Sequence, residues 1–261
     1  MAAARFLLPP EHGAWAQFLF PLATALSLPG AGLNAWLLAL AALCAFLSSE
    51  SLQVLIGSRG TRASRELAPA ARRLVAALLV SAATALAVAL PTTTVLVRWA
   101  TTLMVAVGGT AWLHAVRGEL KTTWGELHVG TALACWSIPV ALAAGSSPTS
   151  AATIAGAWVA AFTAATLAVR SVTARGSRRP FRHYQVATIL AAVSATAVLM
   201  SLARAHVISA LIVATFLPTA VVVVLIAITT PAARWLKPIG WAVVAACSIL
   251  LAGLIVASRT L

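Results

Sequence analysis

Nine stretches of about 20 mostly apolar residues follow one another along the chain, and about 20 is the length a helix needs to cross the hydrocarbon core of a bilayer. They lie at roughly 12–29, 34–57, 73–91, 94–115, 125–145, 150–173, 183–203, 206–229 and 237–258. In lipid every backbone N–H and C=O must find a partner inside the protein, so each stretch is expected as a helix. Turn chemistry separates them. Pro29-Gly30 follows the first, Ser58-Arg59-Gly60 the second, and Pro91-Thr92 the third. Gly145-Ser146-Ser147-Pro148 follows the fifth, Arg178-Arg179-Pro180 the sixth, and Pro231 the eighth. The expected fold class is therefore all-α, a polytopic transmembrane helix bundle of about nine TM helices. Little sequence is left between the spans, so residues 1–261 read as a single integral membrane domain. Met1–Pro10, with one Arg and a short apolar stretch, does not read as a cleaved signal peptide, since no small-residue cleavage site precedes a soluble mature chain, and the first stretch is expected as a retained span.

The composition agrees: 61% of residues are hydrophobic and 9% charged, against about 45–50% and 25% in soluble domains. An ordinary soluble domain, a disordered chain and a disulfide scaffold are excluded. Cys44, Cys135 and Cys247 all fall inside spans without metal-ligand spacing, and are expected as small hydrophobes between helices. A net charge of +13 in a soluble protein would point to nucleic acid. Here it reads as topology. With the N-terminus inside, fifteen of the eighteen Lys and Arg fall on the inner side, leaving Arg98, Arg204 and Arg259 outside. Basic residues concentrate in cytoplasmic loops, so the expectation is a cytoplasmic-membrane protein with N-terminus inside and C-terminus outside. Its partners are then membrane lipids, with no nucleic acid.

Two inner loops carry more Arg than topology needs. The loop after span 2 holds Arg59, Arg62, Arg65, Arg72 and Arg73, and the one after span 6 holds Arg175, Arg178, Arg179 and Arg182 with His183. The guanidinium fork suits phosphate or carboxylate, so these loops are candidates to cap a pocket for an anionic headgroup. Contact with lipid headgroups is the plainer alternative.

The two halves of the chain resemble each other weakly. Span 1 opens Pro10-Glu11-His12-Gly13 and reaches Pro21; span 5 opens Gly125-Glu126-Leu127-His128 and reaches Pro139. Spans 2 and 6 both end in Arg-Gly-Ser/Thr-rich turns. A parallel repeat of four helices is expected, over about 10–116 and 124–230, with a final helix at about 237–258.

Ionisable residues within spans are costly and tend to be functional. All five acids are Glu, and all map to the inner side. Glu50, in Leu-Ser-Ser-Glu-Ser-Leu-Gln-Val, lies about two turns before the end of its span, with Gln53 beyond it. It should face a cavity, or else hold a structural bond to Arg170 or an inner-loop Arg. Glu11 and His12 open span 1, where a carboxylate also suits a helix N-terminus. Glu126 and His128 open span 5 but, two residues apart, point to different faces. Tyr184, the only Tyr, opens span 7. The candidate catalytic residues are Glu11, His12 and Glu50, for acid–base work. The candidate substrate-binding residues are Gln53, Arg59, Arg62, Arg65, Glu126, His128, Arg170, Arg178, Arg179, Arg182 and Tyr184. Glu and His converging from two helices also admit a divalent metal. Glu66 and Glu119 read as carboxylates balancing nearby basic residues, and the nine Trp as a belt near span ends.

Pro10-Glu11-His12-Gly13-Ala14-Trp15 with Pro21, the basic stretch after span 2, and Arg178-Arg179-Pro180-Phe181-Arg182-His183-Tyr184 resemble the YwiC-like family of bacterial membrane proteins. The nine-helix pattern, four-helix repeat and polar inner loops after helices 2 and 6 resemble the architecture of UbiA-type prenyltransferases. That resemblance implies a UbiA-like arrangement and a cytoplasm-facing polar cavity for an isoprenoid or other lipid-soluble substrate with an anionic headgroup. The superfamily holds its diphosphate through Mg²⁺ on Asp-rich motifs, and this sequence has no Asp. The architecture therefore carries over and the metal-dependent chemistry does not. The expectation is a divergent membrane transferase. The alternative is a non-enzymatic transporter, or a lipid-, quinone- or haem-binding protein using His12, His114 or His128.

Overall fold

The computed structural model describes Leu7 and residues 12–260. Among them every regular element is helical: α1 (His12–Leu26), α2 (Leu33–Leu55), α3 (Thr61–Ala89), α4 (Val95–Val116), α5 (Thr123–Cys135), α6 (Ser137–Ala143), α7 (Pro148–Gly176), α8 (Arg182–Arg204), α9 (Ala210–Thr229) and α10 (Leu236–Thr260). Eight crossings are long and apolar enough to span a membrane, with α5 and α6 together forming one of them. The protein is a polytopic helical membrane protein. The first expected span corresponds to α1, a shorter apolar helix whose 15 residues rise about 22 Å.

The sequence sets the helix ends. Thr94, Thr122, Ser147 and Ser209 each accept a backbone N–H of their helix's first turn, satisfying a donor that the helix leaves unpaired. At the C-terminal ends, Gly57, Gly118 and Gly145 adopt positive φ and close the last turn in a left-handed cap. Three other helix ends do the same without glycine, at Arg178 (φ 55), His206 (φ 56) and Thr230 (φ 39).

Helix α7 is the centre of the bundle. It packs against α1, α5, α6, α8, α9 and α10, and its buried surface is mostly alanine: Ala151, Ala155, Ala157, Ala161, Ala164, Ala165 and Ala168. Small residues let helix axes approach closely where lipid removes the hydrophobic drive for association. Trp158, in α7, is fully buried, stacks near Phe162, and donates from Nε1 to Thr24 Oγ1 of α1 at 3.1 Å. It stands apart from the belt of exposed Trp36, Trp99, Trp124, Trp235 and Trp241. Phe18 of α1 stacks on Phe46 of α2 at 4.6 Å. Helices α3, α4 and α8 are the least buried; they turn residues such as Val80, Trp99, Leu103, Leu190 and Val193 outward. The three cysteines are free, with Cys44 and Cys247 buried among apolar neighbours, as expected.

Two expected boundaries are corrected. The basic segment after span 2 is not a loop, because α3 begins at Thr61 and carries Arg62, Arg65, Arg72 and Arg73 on its first turns. Its charges mask an amphipathic pattern: Ala71 is buried and Leu67 and Leu74 pack towards Leu7 and Val54, while the arginines face outward. The fifth span is broken at Trp136 into α5 and α6, with Pro139 on the first turn of α6, where its missing N–H costs least.

The loops fall into two groups at opposite ends of the bundle. At one end the α1–α2 turn meets the α6–α7 turn. A Cβ on Gly30 would lie 2.3 Å from the Ala144 carbonyl oxygen, so these backbones touch only because residue 30 is glycine. Gly30→Ala is expected to destabilise the protein by about 1–3 kcal/mol through overpacking that no rotamer can relieve. Gly156→Ala, in α7 with nothing within 4 Å of the added atom, should be neutral or mildly stabilising. Thermal unfolding of both variants in detergent checks this pair.

Candidate functional site at the basic end of the bundle

At the other end lie the last turn of α2, the start of α3, the α4–α5 turn, the α7–α8 turn and the end of α9. Glu50 is 7% exposed and is held by Arg59, which follows α2, in an ion pair. Gln53 Nε2 donates to the Glu50 carboxylate at 3.3 Å, one turn on. Of the two partners expected for Glu50, the nearby Arg is the one found. Arg170 of α7 reaches Glu126 of α5 instead, with both nitrogen–oxygen contacts at 2.8 Å, a bidentate geometry. The same guanidinium also donates to the Lys121 carbonyl. Tyr184, at the start of α8, shares a hydrogen bond with Thr123 of α5 at 3.0 Å.

His128 turns away from Glu126 towards α4, as its two-residue spacing requires. Its Nε2 lies 3.0 Å from Thr110 Oγ1 and 3.4 Å from the Val107 carbonyl. Its ring centroid is 5.2 Å from that of His114, whose Nδ1 bonds Glu119 at 2.9 Å. Arg62 pairs with Glu66 along α3 at 2.8 Å, both well exposed. Arg65, Arg178, Arg179 and Arg182 are exposed. Glu11 and the side chain of His12 lie outside the described residues.

Reading residue types along the chain missed three contributors. Arg175 donates to the Thr229 and Thr230 carbonyls at the end of α9. Gln185 Nε2 donates to the Ala227 carbonyl at 2.7 Å and to Thr230 Oγ1 at 2.8 Å. Glu119 orients His114. Gln185 was visible as an amide in the first turn of an apolar span; the other two were visible only as charges.

The four described carboxylates are each engaged by a basic side chain: Glu50 by Arg59, Glu66 by Arg62, Glu119 by His114 and Glu126 by Arg170. Mg²⁺ takes hard oxygen ligands, and these carboxylates would have to give up their Arg or His partners to supply them. The residues present do not fit a Mg²⁺–diphosphate centre.

The sizeable cavity is not at this end. About 360 Å³ in volume, it opens among the opposite turns, lined by Pro29, Ser146, Ser147, Ser150, Ile208 and Leu254 among others. No charged side chain lines it. At the basic end a narrow crevice lies between α5 and α7, beside Glu126, Thr131, Thr163 and Thr166. Among the described residues the basic end presents this crevice and an exposed basic surface.

Arg59→Met should destabilise the protein by about 3 kcal/mol, because it strands the buried Glu50 carboxylate without its cation. The double variant Glu50→Leu/Arg59→Met should recover most of that loss. Thermal unfolding of single and double variants in the same detergent decides it; equal losses in both would show that the pair does not act as a unit.

No curated protein and no solved structure matches the chain. The family pattern for YwiC-like protein matches residues 8–142, from ahead of α1 to the end of α6. That interval takes in the opening Glu-His-Gly motif, the Glu50–Arg59 pair and the two histidines facing each other across α4 and α5, and it is just over half of the chain: the protein belongs to the YwiC-like family.

Proposed function

We propose that the basic end of the bundle is the cytoplasmic face of a bacterial inner-membrane protein and receives the anionic headgroup of a lipid-soluble molecule, of isoprenoid or similar type. The observation that carries this reading is the α7–α8 turn. Arg178, Arg179 and Arg182 stand exposed there, and the four described carboxylates are already taken by Arg59, Arg62, His114 and Arg170. Arg178 also occupies a left-handed cap position (φ 55), where an L-residue other than glycine costs roughly 1 kcal/mol. Holding a guanidinium at that position is costly for folding and useful for binding.

In this reading Arg178, Arg179 and Arg182 take the headgroup directly, with Arg65 adding to the positive field. Glu126–Arg170 and Tyr184–Thr123 fix the start of α5 and α8 around the turn. Gln53 and Arg59 hold Glu50. In the UbiA-type enzymes that the helix pattern resembles, Mg²⁺ neutralises the diphosphate; here guanidiniums take that part. The paired state of the described carboxylates favours binding over carboxylate-dependent transfer chemistry.

The reading is tested with the purified protein in a neutral detergent. Native mass spectrometry should show geranyl diphosphate retained in preference to geraniol. The Arg178→Gln/Arg179→Gln/Arg182→Gln variant should lose at least about tenfold in affinity, since one charge-assisted contact is worth roughly 1.5 kcal/mol or more. Equal retention of the alcohol, or an unchanged triple variant, overturns it. Arg178→Gly alone should weaken binding while leaving the fold at least as stable. For the orientation, alkaline phosphatase fused at Leu261 should be active, because that enzyme works only outside the cytoplasm.

A further inference from the structure

The hydrogen bonds around His114 and His128 fix the tautomer of each ring. Nδ1 of His114 faces the Glu119 carboxylate, which only accepts, so Nδ1 carries the proton. Thr110 Oγ1 donates to the Val107 carbonyl at 2.8 Å. Towards His128 it therefore accepts, and Nε2 of His128, which also faces that carbonyl, carries the proton. In its neutral form each ring leaves one nitrogen bare: Nε2 on His114 and Nδ1 on His128. This is the arrangement of metal-ligating imidazoles, whose second nitrogen donates to a carboxylate, carbonyl or similar acceptor.

The spacing agrees. Two imidazoles bound to one tetrahedral ion through bonds of about 2.0–2.1 Å have ring centroids about 5 Å apart. The His114 and His128 centroids are 5.2 Å apart, with the rings tilted by 59°. The rings come from different helices, the last turn of α4 and the second turn of α5. The intervening turn is closed by the Glu119 N–H donating to the His114 carbonyl at 2.8 Å. The pair is partly open, with the His114 side chain 24% exposed and Thr110 at the surface.

We propose that His114 and His128 form an open two-imidazole site for a borderline divalent transition-metal ion, Zn²⁺ or Cu²⁺. Glu119, Thr110 and the Val107 carbonyl are its orienting outer shell. No third His, Cys, Asp or Glu joins them among the described residues, so water or an incoming ligand completes the coordination. A site with two protein ligands exchanges its ion readily, which suits taking up or passing on a metal rather than holding it for structure. Imidazole suits zinc and copper, whereas Mg²⁺ and Ca²⁺ prefer oxygen. The site is independent of the arginine face and of the headgroup reading.

The test uses the full chain, freed of any polyhistidine tag and stripped with chelator, in detergent. Titration with Cu²⁺ followed by electron paramagnetic resonance should show one equivalent bound with nitrogen splitting; a large excess of Zn²⁺ should displace it and the same excess of Mg²⁺ should not. His114→Gln and His128→Gln should each abolish that signal, and His183→Gln and His206→Gln should leave it. Glu119→Gln should weaken binding by about tenfold or more. Where a variant fails to fold, carbethoxylation of the wild-type chain replaces it: Zn²⁺ should protect His114 and His128 together from modification, read by mass spectrometry. Binding that survives loss of either histidine, or absence of any protection by Zn²⁺, overturns the proposal.

Discussion

The bundle depends on the alanine-lined surface of α7. In water, apolar faces would drive the helices together; in lipid that drive is absent, and close van der Waals contact must replace it. Ala151, Ala155, Ala157, Ala161, Ala164, Ala165 and Ala168 are buried on this one helix, and six other helices touch it. Bulky residues there would push the neighbours apart along several interfaces at once. The exception, Trp158, fits because its one polar atom reaches Thr24 at 3.1 Å. A buried indole N–H without that partner would be costly.

The same helix carries the polar stitching at its far end. After about 30 Å of apolar rise, α7 presents Arg170 to Glu126 and the Lys121 carbonyl on the α5 side, and Arg175 to the end of α9. One side chain in each direction ties a helix start or a helix end whose backbone groups would otherwise lack partners. The chemistry of the basic end is thus built on the rigid element at the centre of the bundle. The arginines left over, Arg178, Arg179 and Arg182, follow directly after it. The paired and the exposed guanidiniums are neighbours in sequence and differ in whether a described acceptor reaches them.

How much of this was legible in the sequence depended on range. The crossings were legible because each is a local property of about 20 residues, and α2, α4, α8 and α10 begin and end within a few residues of the expected limits. The start of α3 was not. Arg62, Arg65, Arg72 and Arg73 read as a loop by charge, while the helical spacing of Leu67, Ala71 and Leu74 against Leu7 and Val54 outweighs that signal. That the opening Glu-His-Gly segment belongs to a YwiC-like chain was legible from the motif. The pairing of Glu126 with Arg170, 44 residues apart, was not, since either residue offers many partners along a chain with so few charges. The face of His128 followed from helical spacing alone, whereas its approach to His114 required the turn between α4 and α5 to close.

The two ends of the bundle differ in a way that bears on what passes between them. The basic end offers guanidiniums, an anion's natural ligands. The opposite cavity offers hydroxyls from Ser146, Ser147 and Ser150 beside Ile208 and Leu254, with no charge. Between them the core is Phe18, Trp158, Phe162, Val172 and the seven buried alanines of α7. The buried polar groups of α7 are spoken for locally: Ser171 Oγ, for example, donates to the Ala168 carbonyl at 2.7 Å. An anion drawn off the arginines towards that cavity would shed its partners and gain none along the way, at a cost of several kcal/mol in such surroundings. A molecule with a charged head and an apolar body avoids that cost by leaving its head at the basic end and its body in the lipid. This favours entry and exit on one side of the membrane over passage through the bundle.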